Sequence, residues 1–123
     1  MNSKLDPQGS TKLKICGITQ IDQAIQIASL GVNAIGLIAV QNSARYVKEK
    51  TRDKLFKELI DVHPDVERVL VVANMDEEEI ARNLNKNGSP SIIQLHGNES
   101  KQQCENLKKN FPKVLFWKAF RIK

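Results

Sequence analysis

With 123 residues the chain has room for one domain and one core, and 41% apolar with 27% charged residues is the balance of an ordinary soluble protein. No apolar run approaches the roughly 18 residues a membrane helix needs, and residues 1–11 lack the apolar centre of a signal peptide. The net charge of +5 comes from scattered lysines, with few aromatics and none interleaved with a basic run, which argues against nucleic acid and suits a small anionic ligand.

Residues 1–11 read as a frayed tail and 12–123 as the domain, in a cytoplasmic setting. The first strand, at about 13–17, ends on Cys16-Gly17 and alternates Leu13 and Ile15 with Lys14 and Cys16 on opposite faces. Thr19 with Asp22 three residues on reads as a helix cap, and Ile21, Ala24, Ile25 and Ala28 form one apolar helix face that Gly31 closes. Ala34-Ile35-Gly36-Leu37-Ile38 is apolar on both faces, as a buried parallel strand is.

A polar loop, 41–47, leads into a helix carrying Leu55, Phe56, Leu59 and Ile60 that stops at His63-Pro64. The third strand is Val69-Leu70-Val71-Val72-Ala73. Asp76 and Glu79 cap the next helix, Met75 staples onto Ile80, and Gly88 ends it. Ile92-Ile93-Gln94-Leu95-His96 is the fourth strand, stopped by Gly97. A helix from about Glu99 to Lys109 puts Cys104, Leu107 and Phe111 on one packing stripe, and the fifth strand covers 114–120.

Strands alternating with amphipathic helices mean parallel pairing through crossovers. Two α/β architectures fit: the first five strands and four helices of a (β/α)8 TIM barrel, or a five-stranded open doubly wound sheet. Polar groups gather at consecutive strand ends, Cys16, then Arg45 in the second loop, Gln94 with His96, and Lys118 or Arg121. That convergence favours a barrel mouth, where every strand end faces one site. Cys16 and Cys104 form no disulfide or metal pattern, and His63 and His96 sit in no zinc spacing.

The motifs Lys14-Ile15-Cys16-Gly17-Ile18-Thr19, Ser43-Ala44-Arg45-Tyr46-Val47, Val71-Val72-Ala73-Asn74, Gln94-Leu95-His96-Gly97 and Lys118-Ala119-Phe120-Arg121 recur in this order over nearly all of 12–123. Together they resemble the phosphoribosylanthranilate isomerase family of tryptophan biosynthesis. Two departures stand out: Ala44 replaces the family's usual proline, and Leu37-Ile38-Ala39-Val40 replaces a Phe-rich stretch.

The resemblance implies an Amadori rearrangement of N-(5-phosphoribosyl)anthranilate to the 1-deoxyribulose 5-phosphate derivative, without a cofactor. A general acid opens the ribose ring to a Schiff base, and a general base takes the proton from C2. By resemblance the base is Cys16, with Lys14 on the same strand face as a candidate cation to favour its thiolate. Arg45 would grip the anthranilate carboxylate with its planar fork. Gln94, His96 and Arg121 would contact substrate, with Lys118 adding positive field.

The family's acid is an aspartate on strand 6, and its phosphate loops follow strands 7 and 8. The expectation is therefore an amino-terminal part that carries the base but not the acid, inactive alone and prone to self-association through open sheet edges. The competing reading is a non-catalytic α/β module that kept the scaffold for binding or assembly. A small enzyme on a doubly wound sheet has no Gly-rich phosphate loop after strand 1 to support it.

Overall fold

The computed structural model describes residues 13–118. Five strands alternate with four helices: β1 Lys14–Cys16, α1 Ile21–Ser29, β2 Ala34–Ile38, α2 Glu49–Val62, β3 Glu67–Val72, α3 Glu77–Leu84, β4 Ile92–Leu95, α4 Lys101–Asn110 and β5 Leu115–Lys118. All neighbours pair in parallel, and the spatial order is the sequence order, β1 to β5.

The side-chain alternation of the strands separates two apolar clusters. Ile35, Leu37, Leu70, Val72, Ile93, Leu95 and Phe116 point to one face, where Ala24 and Ala28 of α1, Leu55, Phe56 and Leu59 of α2, Ile80 of α3 and Leu107 of α4 cover them. The other face holds a smaller cluster of Ala34, Val69, Val71 and Ile92. All four helices thus lie on one side of the sheet. A doubly wound sheet has helices on both sides, so this is barrel-type winding, left as an open sheet.

The sheet is also curled. The Lys14 ammonium of β1 donates to Gln94 Oε1 of β4, and it lies 5.7 Å from the centre of the Trp117 ring of β5. By register, Lys14 pairs with Ala34 while Gln94 pairs with Val71 and so with Ile38. Three strand spacings and four residues of rise would put their Cα atoms about 19 Å apart on a flat sheet. Two side chains span that gap only across a trough, and the helix-free face is its concave side.

Several helix ends follow their sequence signals. Asp76 Oδ1 accepts from the Glu79 N–H at 2.8 Å, His63 caps the end of α2, and Gly31 stands at φ +91° just past α1. Cys104 and Phe111 pack with Leu107 against the helix-side core. Others differ. Gln20, not Thr19, is the N-cap of α1, with no side-chain cap. The chain first turns at Gly17 and buries Ile18 in the core, which moves the helix start on by one residue.

On α2 the buried stripe runs through Arg52, Leu55, Phe56 and Leu59, while Ile60 is half-buried at its margin. α3 ends at Leu84, well before Gly88. Lys86 draws the chain back onto α2 through Asp53 at 2.9 Å and Glu49 at 2.6 Å. Gly88 (φ +76°) then lies so close to α2 that a Cβ would strike the Asp53 carbonyl. α4 begins at Lys101 with Ser100 as its N-cap, two residues later than Glu99. No helix among the described residues is long and apolar enough to cross a membrane.

Candidate active site at the carboxyl ends of the strands

Cys16 is the last residue of β1, on the concave face, and is exposed. Its cross-strand partner is Gly36. A Cβ at Gly36 would stand 3.0 Å from Cys16 Sγ, so the missing side chain leaves the thiol its place. Gly17, at φ +90°, then turns the chain away from the sheet. That conformation is cheap for glycine and costly for residues with a Cβ.

Arg45 reaches this turn from the β2–α2 loop. Its Nη1 donates to the Gly17 carbonyl at 3.2 Å, and its stem lies within van der Waals distance of where a Gly17 Cβ would be. The loop holding it is tied down on both sides. The Arg45 N–H donates to Ser43 Oγ at 3.2 Å, and the Val47 N–H donates to the Ile38 carbonyl at 2.9 Å. Ala44 in place of the usual proline leaves this loop fastened by its own hydrogen bonds. Arg45 itself is exposed, with guanidinium nitrogens left to bind an anion.

Gln94 lies half-buried in the trough, with Oε1 held by Lys14. The Lys14 ammonium, on the same strand face as Cys16, is thus engaged by Gln94 and Trp117 across the sheet. His96, just past β4, is exposed at the mouth, its N–H bonded to the Val72 carbonyl at 2.8 Å. Lys118 is likewise not a free source of positive field, because it pairs with the buried Glu99 at 2.8 Å. The structure thus brings Cys16 and Arg45 together around Gly17 and places Gln94 and His96 on the same trough. Arg121 lies outside the described residues.

Glu99 was hidden from the sequence reading by its place at the apparent start of α4. One signal finds it. Ser100-Lys101-Gln102-Gln103 is a capping box, and both of its hydrogen bonds form, Gln103 N–H to Ser100 Oγ at 3.1 Å and Ser100 N–H to Gln103 Oε1 at 2.7 Å. A cap at Ser100 takes Glu99 out of the helix.

A cavity of about 490 Å³ lies between the β2–α2 and β3–α3 loops, with Tyr46, Glu49, Arg52 and Arg82 on its walls. The strand-end site is one wall of an open trough and forms no enclosed cavity. Among the described residues no three His, Cys, Asp or Glu cluster to hold a metal ion.

Comparison with known proteins gives this geometry its context. The family model of N-(5'-phosphoribosyl)anthranilate (PRA) isomerase matches residues 13–122. The N-(5'-phosphoribosyl)anthranilate isomerase of Thermosynechococcus vestitus is 42% identical over 110 residues, 89% of this chain and 46% of the relative. That of Synechococcus elongatus is 39% identical over 112 residues, 91% of this chain and 51% of the relative.

Among solved structures, phosphoribosyl anthranilate isomerase from Thermotoga maritima aligns with a TM-score of 0.78 at 27% identity, covering 89% of this chain and 50% of that one. A phosphoribosyl anthranilate isomerase in complex with reduced 1-(o-carboxyphenylamino)-1-deoxyribulose 5-phosphate aligns at 0.81 and 26% identity, covering 93% of this chain and 55% of that one. The chain spans about half the length of the curated relatives it matches. With one-sided winding, ordered strand-end motifs and these matches in agreement, the chain belongs to the N-(5'-phosphoribosyl)anthranilate isomerase family.

Proposed function

We propose that residues 13–118 form the strand-1 to strand-5 side of a phosphoribosylanthranilate isomerase site. The observation that carries this is the Cys16–Gly17–Arg45 arrangement: an exposed thiol at a strand end, with a guanidinium anchored on the carbonyl of the next residue. A base that takes a proton from C2 must stand beside the sugar carbon. A carboxylate-binding fork must stand at the other end of the same nitrogen-linked substrate. Gly17 joins the two on one turn.

In this reading Cys16 is the general base of the Amadori rearrangement, and such a group contributes about 10²- to 10⁴-fold. Arg45 orients the anthranilate ring through its carboxylate, while Gln94 and His96 line the trough in which the ribose lies. Protonation of the ring oxygen and binding of the phosphate need groups from beyond β5. The two free cysteines suit a reducing, cytoplasmic setting.

The 123-residue chain alone should therefore show no turnover and should associate with itself. Leu115 and Trp117 of the edge strand β5 are 61% and 41% exposed, and Leu13 beside β1 is 51% exposed. Apolar edge strands of this kind recruit other chains.

The substrate assignment is tested in a protein where the β1–β5 segment is joined to the rest of a family member's barrel, from the helix after strand 5 onward. Arg45→Lys keeps the charge and loses the bidentate fork, so KM should rise about tenfold, or ~1.4 kcal/mol, with kcat changed less. An unchanged KM in Arg45→Ala would remove Arg45 from substrate binding.

A further inference from the structure

Glu99 is only 8% exposed, yet no step of the proposed chemistry uses it. Its carboxylate takes three donors. The Asn74 N–H reaches Oε2 at 2.7 Å, and the Gly97 N–H and the Lys118 ammonium reach Oε1 at 2.9 and 2.8 Å. Asn74 follows β3, Gly97 follows β4 and Lys118 ends β5, so one carboxylate joins three consecutive strand ends.

The surroundings tighten the joint. Lys118 also donates to the Gly97 carbonyl at 2.7 Å. Asn74 stands at φ +56°, a left-handed conformation that asparagine tolerates better than most residues, and its Oδ1 accepts from the Asn98 N–H at 2.9 Å. A Cβ at Gly97 would lie 2.8 Å from the Asn74 backbone and side chain, so the two loops approach as closely as glycine permits. Burial pushes the Glu99 carboxyl up, but the Lys118 ammonium and the Asn74 N–H outweigh it, and the group stays below the usual carboxylate range.

Buried ion pairs are a poor means of raising stability, since apolar replacements often do as well. Their better use is to select one arrangement. This pair sits at the mouth, where arrangement decides what His96 meets. We propose that Glu99 is a positioning residue of the site: by clamping the ends of β3, β4 and β5 it fixes where His96 stands over the trough. The inference rests on the mouth being the substrate site.

The test uses the 123-residue chain labelled for NMR, as wild type, Glu99→Gln and Lys118→Met. Three quantities are read: the chemical shifts of the His96 ring, amide exchange at Asn74 and Gly97 against Ile35 and Leu37, and the response to anthranilate as probe. In folded Glu99→Gln the Asn74 and Gly97 amides should exchange about tenfold faster while Ile35 and Leu37 keep their rates. The His96 ring resonances should move with them.

Should Glu99→Gln fail to fold, Lys118→Met leaves both amide donors in place and carries the same comparison. Unchanged His96 ring resonances in a folded variant, or exchange accelerated equally along all strands, would overturn the proposal. The anthranilate arm separates the two readings. A wild-type chain with no response at Arg45 or His96 counts against the substrate assignment, while the His96 ring resonances and the amide exchange still decide the role of Glu99.

Discussion

The two thiols of this chain differ in surroundings more than in chemistry. Cys16 is exposed at a strand end, whereas Cys104 is half-covered on α4, packed against the helix-side core. An alkylating reagent should modify Cys16 well before Cys104 in the folded chain, and mass mapping after a short exposure checks the order. Equal modification would mean that Cys16 is covered in solution. Gly36→Ala tests the space beside it. The added methyl would meet Sγ at 3.0 Å, so in a complete barrel the variant should stay folded and lose much of its turnover by turning the thiol aside. That Lys14 and Cys16 share one strand face was legible in the sequence. The destination of Lys14 was not, because Gln94 and Trp117 lie 80 and 103 positions away and meet it only through the curl of the sheet.

At the scale of elements, local signals succeeded where they were local in origin. The Asp76 cap and the apolar stripes of α1 and α4 need only near neighbours, and they formed as read. Thr19 and Gly88 misled because tertiary contacts decide those points: Ile18 entering the core in one case, the approach to Asp53 in the other. Gly88→Ala should accordingly destabilise the chain by about 1–3 kcal/mol, from positive φ and the blocked approach together, as a denaturant melt would show. Acid should act on the Glu99 joint. Its carboxyl is held below the ordinary range, so its contribution is complete above about pH 4.3, the unfolded value, and is lost as pH falls through the folded one. Glu49, hydrogen-bonded by Arg82 and Lys86, is lowered to about 2, but it is partly exposed and screened by solvent, so its share is small. A melt series from pH 6 to pH 2.5 should therefore show a decline that Glu99→Gln largely removes.

For the whole molecule, the winding carries the account. Helices on one side, strands in sequence order and a curled open sheet are the first four β/α units and the fifth strand of a barrel. The strand-helix alternation could be read from periodicity. Choosing the barrel over the doubly wound sheet needed the ordered motifs, because periodicity does not say on which face a helix packs. Sedimentation of the isolated chain should give species larger than 13.9 kDa, with Trp117→Lys shifting it towards the monomer by charging the concave β5 edge. The central claim is that this segment brings the base and the carboxylate grip to a phosphoribosylanthranilate isomerase. Its most direct test is isomerase turnover of residues 13–118 joined to the remainder of the Thermosynechococcus vestitus relative, from the helix after its fifth strand onward, with and without Cys16→Ala. The joined protein should turn substrate over, and Cys16→Ala should lower its turnover by at least about 10²-fold. Turnover that survives Cys16→Ala in the folded joined protein would contradict the claim.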